Sequence, residues 1–506
     1  MRKTLAFFLS TFVAATLFAG NGKLARDLES LDPASNVDVI VQFKHLPTEA
    51  HHQKTRGRGG VHKQSLDLVK GSLYSMPAGK LKELADDPDV VSISPDRAVH
   101  SSMDMAGPAV GADIASQYGW NGQGIAIAMV DSGISYHYDL SGSNIFDNRI
   151  IYQENFVQGD TDTADIYGHG TTVSGIAAGN GWWSSGSRAK TAIRGIAVKA
   201  KLINLRVLND SGVGTDSAVI AAISRAIQLK SQYNIRVLNL SLGRPAMESY
   251  KTDPLCQAVE QAWKAGIVVV VAAGNSGRDN SLGTQGYGTI NSPANDPYVI
   301  TVGAMKTNGT PGRGDDTIAS YSAKGPTPID HIAKPDIVAP GNRIASLLAG
   351  NSFLTNGFPA NIVPWSYYTS STSQLGSLAY FRESGTSMAA PVVSGAAALL
   401  LQQNPNLTPD QVKARRMKTA SKAFPASSIA TDPVTGAIYT SYYDLFTVGA
   451  GYLDVWAALN SADTATAGKA ALSPSVVYDP TTRKVRLVNG TNVVWGDNVV
   501  WGDNVV

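Results

Sequence analysis

The chain has 506 residues, 43% of them hydrophobic and 16% charged, which is enough for one large core with smaller appendages. Its formal net charge of +2 excludes a general electrostatic attraction to nucleic acid or anionic membrane. The single cysteine, Cys256, excludes an intrachain disulfide, so stability must come from packing or ions.

Arg2 and Lys3 precede an uncharged stretch, Thr4 to Gly20, rich in Leu, Phe and Ala. Its length, and the small residues Ala19 and Gly20, predict a secretory signal peptide over residues 1–20 rather than a membrane anchor. No later segment has the unbroken apolar length of a membrane span. Met388 to Leu401 comes closest, and Pro391, Ser394 and Gly395 interrupt it.

Residues 37–104 predict a small α+β module. Val37–Phe43 and Asp89–Asp96 read as strands, and SLDLVKGSLY and AGKLKELADD between them have helical spacing. Lys54, Arg56, Arg58 and Lys63 form a basic run, read as a solvated loop in preference to an anion-binding arm.

From residue 105 to 460 apolar runs alternate with helical patterns. GIAIAMV ends at Val130, LINLRVL at Leu208, RVLNLSL at Leu242, IVVVVAA at Ala273 and YVITVGA at Ala304. Helical patterns cover Asp216–Lys230 and Leu255–Ala265. The expected class is α/β, a parallel sheet covered by helices on both faces, with its site beyond the carboxyl ends of the strands. The tail, 461–506, begins rich in Ala, Ser and Thr. SVVYDPTTRKVRLV predicts a hairpin turning at Asp479 and Pro480, and NVVWGD starts at Asn492, recurs at Asn498 and begins a third time at Asn504.

Three strand ends or helix starts carry reactive side chains. Asp131 follows the first of these strands, in MVDSGI. His169 lies between Gly168 and Gly170 at the start of a small-residue helix, where the helix terminus favours a neutral imidazole. Ser387 opens the apolar helix of SGTSMAAPVVSGAAALL, with Pro391 in its first turn. Each alone has a plain alternative: a turn aspartate, a loop histidine, a capping serine. Together they supply a nucleophile, a base to deprotonate it, and a carboxylate to orient the base. Asn275, in the turn AAGNSG after another strand, adds an amide donor for an oxyanion, with the backbone N–H of Ser387.

VDSGI, GHGT and SGTSMAAP, in the order Asp, His, Ser, resemble the subtilisin-like serine peptidases, the subtilase family. The similarity extends over about residues 107–460 through LRVLNDSG, VLNLSLG, SPANDPYVITVGA, KPDIVAPG and VGAGYLDVWAAL. It implies Asp131 as orienter, His169 as base, Ser387 as nucleophile and Asn275 as oxyanion donor. It further implies Ser241, Leu242 and Gly243 as the substrate-pairing wall of a specificity pocket, with Ala272, Ala273 and Gly274 opposite. Residues 37–104 resemble the family's inhibitory, fold-assisting prodomain.

The sequence also departs from the family pattern. Thr172 stands where many members have a second histidine, and GNGWWSSGSRAKTAIRG does not resemble the calcium loop of some members. Asp139 matches an aspartate that ligates calcium in some members, which leaves a structural calcium open as an expectation. Asn351–Glu383 is long and aromatic, and reads as a cleft border or a surface insertion. The resemblance implies a secreted, self-processing endopeptidase that acts on proteins or peptides, is inhibited by its own prodomain and needs no cofactor for its chemistry. It has no nucleic-acid partner and no membrane span when mature. A catalytically silent adhesion protein and an acyl transferase or esterase are the competing readings.

Overall fold

The computed structural model describes residues 23–24, 28, 31–67, 70–95, 106–142, 144, 147–432, 435–463, 465, 468–482 and 484–488. The signal stretch, the NVVWGD repeats and residues 100–105 lie outside them. The chain divides into two units, Met1–Val99 and His100–Val506.

In the first unit, four antiparallel strands form one sheet: Val61–Leu66, Gly71–Pro77, Asn36–Phe43 and Val90–Pro95, in that spatial order. Helices cover Glu49–Arg56 and Leu81–Ala85. The helix expected over SLDLVKGSLY is instead the end of one strand and most of the next. Tyr74 and Met76 are fully buried with Val39, Val41 and Ile93, a period of two that only a strand provides. The basic run is neutralised locally. Lys54 meets Asp87 at 3.1 Å, Arg56 meets Glu49 at 2.6 Å, and Lys63 meets Asp38 at 2.6 Å.

In the second unit, Ala126–Asp131 and Val268–Ala272 are buried at every residue, because near-continuous Val, Ile and Ala must be covered on both faces. They belong to an eight-stranded sheet. From one edge it runs Thr317–Ile318, Ile300–Lys306, Val268–Ala272, Ile235–Leu240, Ala126–Asp131, Lys201–Arg206 and Ile150–Asn155. Ile337–Pro340 also pairs with Ile300–Lys306. Every pairing is parallel except that of Thr317–Ile318, so the expected parallel sheet carries one short antiparallel strand.

Two strands end two residues earlier than their apolar runs. Lys201–Arg206 stops because the amides of Val207 and Leu208 both turn to the Asp131 carbonyl. Ile235–Leu240 stops because Ser241 bonds to Ser387 instead. The helix expected to end at Lys230 runs from Asp216 to Tyr233, where Asn234 takes a left-handed conformation and closes it. Asp253 caps the Pro254–Lys264 helix through Leu255 N.

Two helix pairs cover the sheet, Asp216–Tyr233 with Pro254–Lys264, and His169–Ala178 with Thr386–Gln403. The last is buried from Met388 to Leu401. Small residues let it approach its neighbour closely: a methyl on Gly395 would sit 2.9 Å from the Ala177 carbonyl oxygen. No helix among the described residues is long and apolar enough to cross a membrane. In the tail, Ser475–Asp479 and Lys484–Val488 pair as a hairpin.

Candidate active site

The order of strand addition reverses at Ala126–Asp131, which lies between Ile235–Leu240 and Lys201–Arg206, while all these strands stay parallel. Asp131 ends that strand and is 1% exposed. Its Oδ1 accepts the Ser132 amide at 2.8 Å and lies 2.7 Å from His169 Nδ1. Its Oδ2 is buried and makes no hydrogen bond. His169 is the first residue of its helix, after Gly168 at φ 109°. Gly170 is required by contact, since a Cβ there would lie 2.2 Å from the Gly133 carbonyl oxygen.

Asp165, which the motif reading passed over, builds this turn. Its Oδ1 accepts Ser132 Oγ at 2.8 Å and the Gly168 amide at 2.7 Å, and its Oδ2 accepts the Thr171 amide at 2.7 Å. Ser132 Oγ in turn accepts the Gly170 amide at 2.9 Å. One buried carboxylate thereby fixes the backbone on both sides of His169 and the residue that follows Asp131.

The expectation of a neutral imidazole does not hold for this arrangement. Burial disfavours the imidazolium, but the Asp131 charge and hydrogen bond, reinforced by Glu383 and Asp165, push His169 up to about 9. Three carboxylates outweigh the helix terminus.

Ser387 is the second residue of its helix, and Gly385 occupies the capping position, so the serine is not a cap. Pro391 lies inside the helix rather than in its first turn. Ser387 Oγ donates to the Ser241 carbonyl at 3.0 Å, not to His169, and Ser241 Oγ donates back to the Ser387 carbonyl at 2.8 Å. Asn239, which accepts Ser394 Oγ at 2.8 Å, holds Ser241 Oγ at 3.0 Å.

Asn275 is exposed beyond the end of Val268–Ala272. Its Oδ1 accepts the Thr386 amide at 2.9 Å and Thr386 Oγ1 at 3.1 Å. The oxygen is therefore committed to Thr386, and Nδ2 remains the outward donor.

Ser241–Gly243 and Ala272–Gly274 follow or end adjacent strands. Asn291 bridges them, a residue the sequence reading did not single out. Its amide donates to the Ala273 carbonyl, and a Cβ on Gly274 would meet its side chain at 3.0 Å. A cavity of about 410 Å³ adjoins Ser241–Gly243, lined by His169, Tyr167, Leu208, Val219 and Leu255 among others. The long Asn351–Glu383 segment touches that lining at Tyr167. Phe353 N and Leu354 N donate to the carbonyls of Ile166 and Tyr167, and the Phe353 ring stacks on Tyr167 at 5.8 Å.

Asp139 does not fit a calcium ligand. Its Oδ1 accepts the Trp183 amide at 2.8 Å and its Oδ2 accepts the Tyr380 hydroxyl at 2.7 Å. Burial, only partly offset by His137, raises its carboxyl toward the neutral form. Beside it the buried Arg149 guanidinium donates to the carbonyls of Ser141, Ala200, Asp139 and Ala178. No group of three or more acidic, histidine or cysteine side chains among the described residues is placed to hold a metal.

The model of the subtilase family matches residues 122–474. Serine protease AprX of Bacillus subtilis (strain 168) is 43% identical over 297 residues, covering 58% of this chain and 60% of that protein. Subtilisin DY of Bacillus licheniformis is 34% identical over 315 residues, covering 62% of this chain and 90% of that protein. Subtilisin E of Bacillus subtilis (strain 168) is 30% identical over 392 residues, covering 76% and 84%.

Proposed function

Because the chain belongs to the subtilase family of serine proteases, we propose that it is a secreted serine endopeptidase made as a self-processing zymogen. The observation that carries this reading is the 2.7 Å contact between Asp131 Oδ1 and His169 Nδ1, at the sheet edge where Ser387 and Asn275 also emerge. Asp131 holds the imidazole with Nε2 free for the hydroxyl.

Substrate lies extended along Ser241–Gly243. Ser387 Oγ turns from the Ser241 carbonyl to His169 Nε2, gives up its proton and attacks the scissile carbonyl carbon. Asn275 Nδ2 and the Ser387 amide receive the oxyanion. His169 then protonates the leaving amine, and water, deprotonated by the same imidazole, releases the acyl group and restores Ser387. The chemistry requires no metal or organic cofactor. Arg2, Lys3 and the apolar stretch after them support export. Residues 37–104, most of which lie in the separate first unit, are the inhibitory prodomain, with cleavage between His100 and Ala106. The walls 241–243 and 272–274 are small or apolar and Ser276 adds no charge, so the pocket selects an uncharged, apolar or aromatic residue, with the Asn291 amide as a polar contact.

The test is expression of the full chain beside Ser387→Ala, exposure to a serine-directed fluorophosphonate, N-terminal sequencing and a peptide panel. The parent is expected to be labelled, processed after residue 99 and most active after uncharged residues. Equal labelling and processing of both proteins would sink the peptidase reading. Faster cleavage after Arg or Lys would sink the pocket assignment, and turnover of esters alone would favour an esterase.

A further inference from the structure

Glu383 takes no part in the reaction just described. It ends the strand Gly376–Glu383, four residues before Ser387. Its strand partner is Ile344, in the strand Ile344–Leu347. That strand lies against the first turn of the His169 helix, where Thr172 donates to the Leu347 carbonyl at 2.9 Å and Ser346 donates to the Thr172 carbonyl at 2.7 Å. The strand that leads to the nucleophile thus ends beside the helix that begins with the base.

Glu383 Oε1 is sealed from solvent and makes no hydrogen bond. A carboxylate so placed is costly unless a cation faces it. The groups that act on it come from the strand ending at Asp131, the turn holding Asp165 and the helix that begins with His169. The His169 imidazolium attracts it, Asp165 and Asp131 repel it, and the Thr172 side chain lies beside it. The neighbouring Arg382 guanidinium lies over the Tyr367 ring, 5.1 Å from its centre. Burial, opposed first by His169, pushes the Glu383 carboxyl up to about 7. The same pairing supports the raised His169. Two groups this closely linked share their titration.

We propose that Glu383 is a positioning residue for the base: a second carboxylate, on a different element from Asp131, that stabilises the His169 imidazolium and moves the enzyme's working range toward alkaline pH. This rests on the reading of His169 as general base. A base must be neutral to accept the Ser387 proton, so each increment of imidazolium stability moves the acid limb of the rate profile to higher pH. Thr172 is part of the device, because its short side chain shares the space beside the first helical turn with the carboxylate.

The experiment measures kcat/KM for a peptide anilide, and the rate of fluorophosphonate labelling of Ser387, across pH for the processed parent and Glu383→Gln. The variant is expected to move the acid limb down by about one pH unit in both measurements, a gain of up to ~tenfold on the acid side. An unmoved limb, whether rates are preserved or fall equally at every pH, overturns the proposal while leaving the nucleophile and base assigned. Should the variant not accumulate, the parent alone decides: its limb must lie above the ordinary histidine value of 6.5, and a limb at or below 6.5 overturns the proposal. A parent that takes no label at any pH refutes the catalytic reading itself, and Glu383's role with it.

Discussion

Asp131 and Asp336 are both buried aspartates of the same sheet, set at opposite ends of their strands. Asp131 ends the strand Ala126–Asp131, and Asp336 precedes the strand Ile337–Pro340. Asp336 is saturated. Its Oδ2 accepts the Thr301 amide at 2.8 Å and Lys334 Nζ at 2.7 Å. Its Oδ1 accepts Ser473 Oγ at 2.5 Å and lies 3.3 Å from Lys413 Nζ. Lys413 also donates to the carbonyls of Pro297, Tyr298 and Val299. Burial opposes the Asp336 charge, yet the two ammonium groups hold its carboxyl below the usual range. Asp131 loads all of its bonds on one oxygen and leaves the other without a partner. The lesson is that burial alone does not mark a reactive carboxylate. Saturation with donors builds a lock, and incomplete satisfaction beside a titratable base leaves an interaction that can strengthen when the base gains a proton.

Three experiments can break or sharpen this contrast. The largest expected effect is at the lock. In a Ser387→Ala background, Asp336→Asn should lose about 3–5 kcal/mol of stability, because two buried lysines lose their counter-ion and must either bury an unpaired charge or give up a proton. The denaturant midpoint measures this, and an unchanged midpoint would mean the cluster holds nothing together. Next, Asn275→Ala should lower that midpoint only slightly, through the lost bond to the Thr386 amide, while kcat falls by about 10²–10³, the size known for the equivalent change in subtilisin itself. A loss carried mainly by KM would show that the amide binds substrate rather than the oxyanion.

The smallest effects are the opposed pH signatures of the two regions. Burial depresses Lys413 to about 7, against an ordinary 10.5. The unfolded chain therefore holds the extra proton between those values, and this site's contribution to stability rises with pH across that window. His169 is raised to about 9 from 6.5, so its contribution is full below 6.5 and is lost as pH climbs to about 9. In the Ser387→Ala background, Lys413→Met should flatten the first dependence and His169→Ala the second. Identical slopes of stability against pH in all three proteins would erase the distinction.

The central strands were legible because a doubly covered strand must be apolar at nearly every residue, as Val268–Ala272 is. The short strand Gly71–Pro77 was not. Leu66, Val69 and Leu73 are spaced for a helix as well, and only pairing with Asn36–Phe43 decides between them. At the site, Asp131, His169, Ser387 and Asn275 stood out because each lies within two residues of a glycine near the end of a strand or the start of a helix. Asp165 and Glu383 carried no such mark. A single carboxylate has no periodicity, and what these two touch depends on elements brought together from distant parts of the chain. The titration of His169 was misjudged for the same reason: the helix terminus can be read locally, and the surrounding carboxylates cannot.

The Arg149 guanidinium, with its four carbonyl acceptors, has a consequence for the medium in which the protein works. A bound ion leaves when it is diluted or when a chelator competes for it. A cation built into the chain is present once per molecule at any ionic composition. The polar loops gathered at Asp139, Ser141, Ala178 and Ala200 are thus fastened by a covalently tethered charge. This one fastening is encoded in the chain itself.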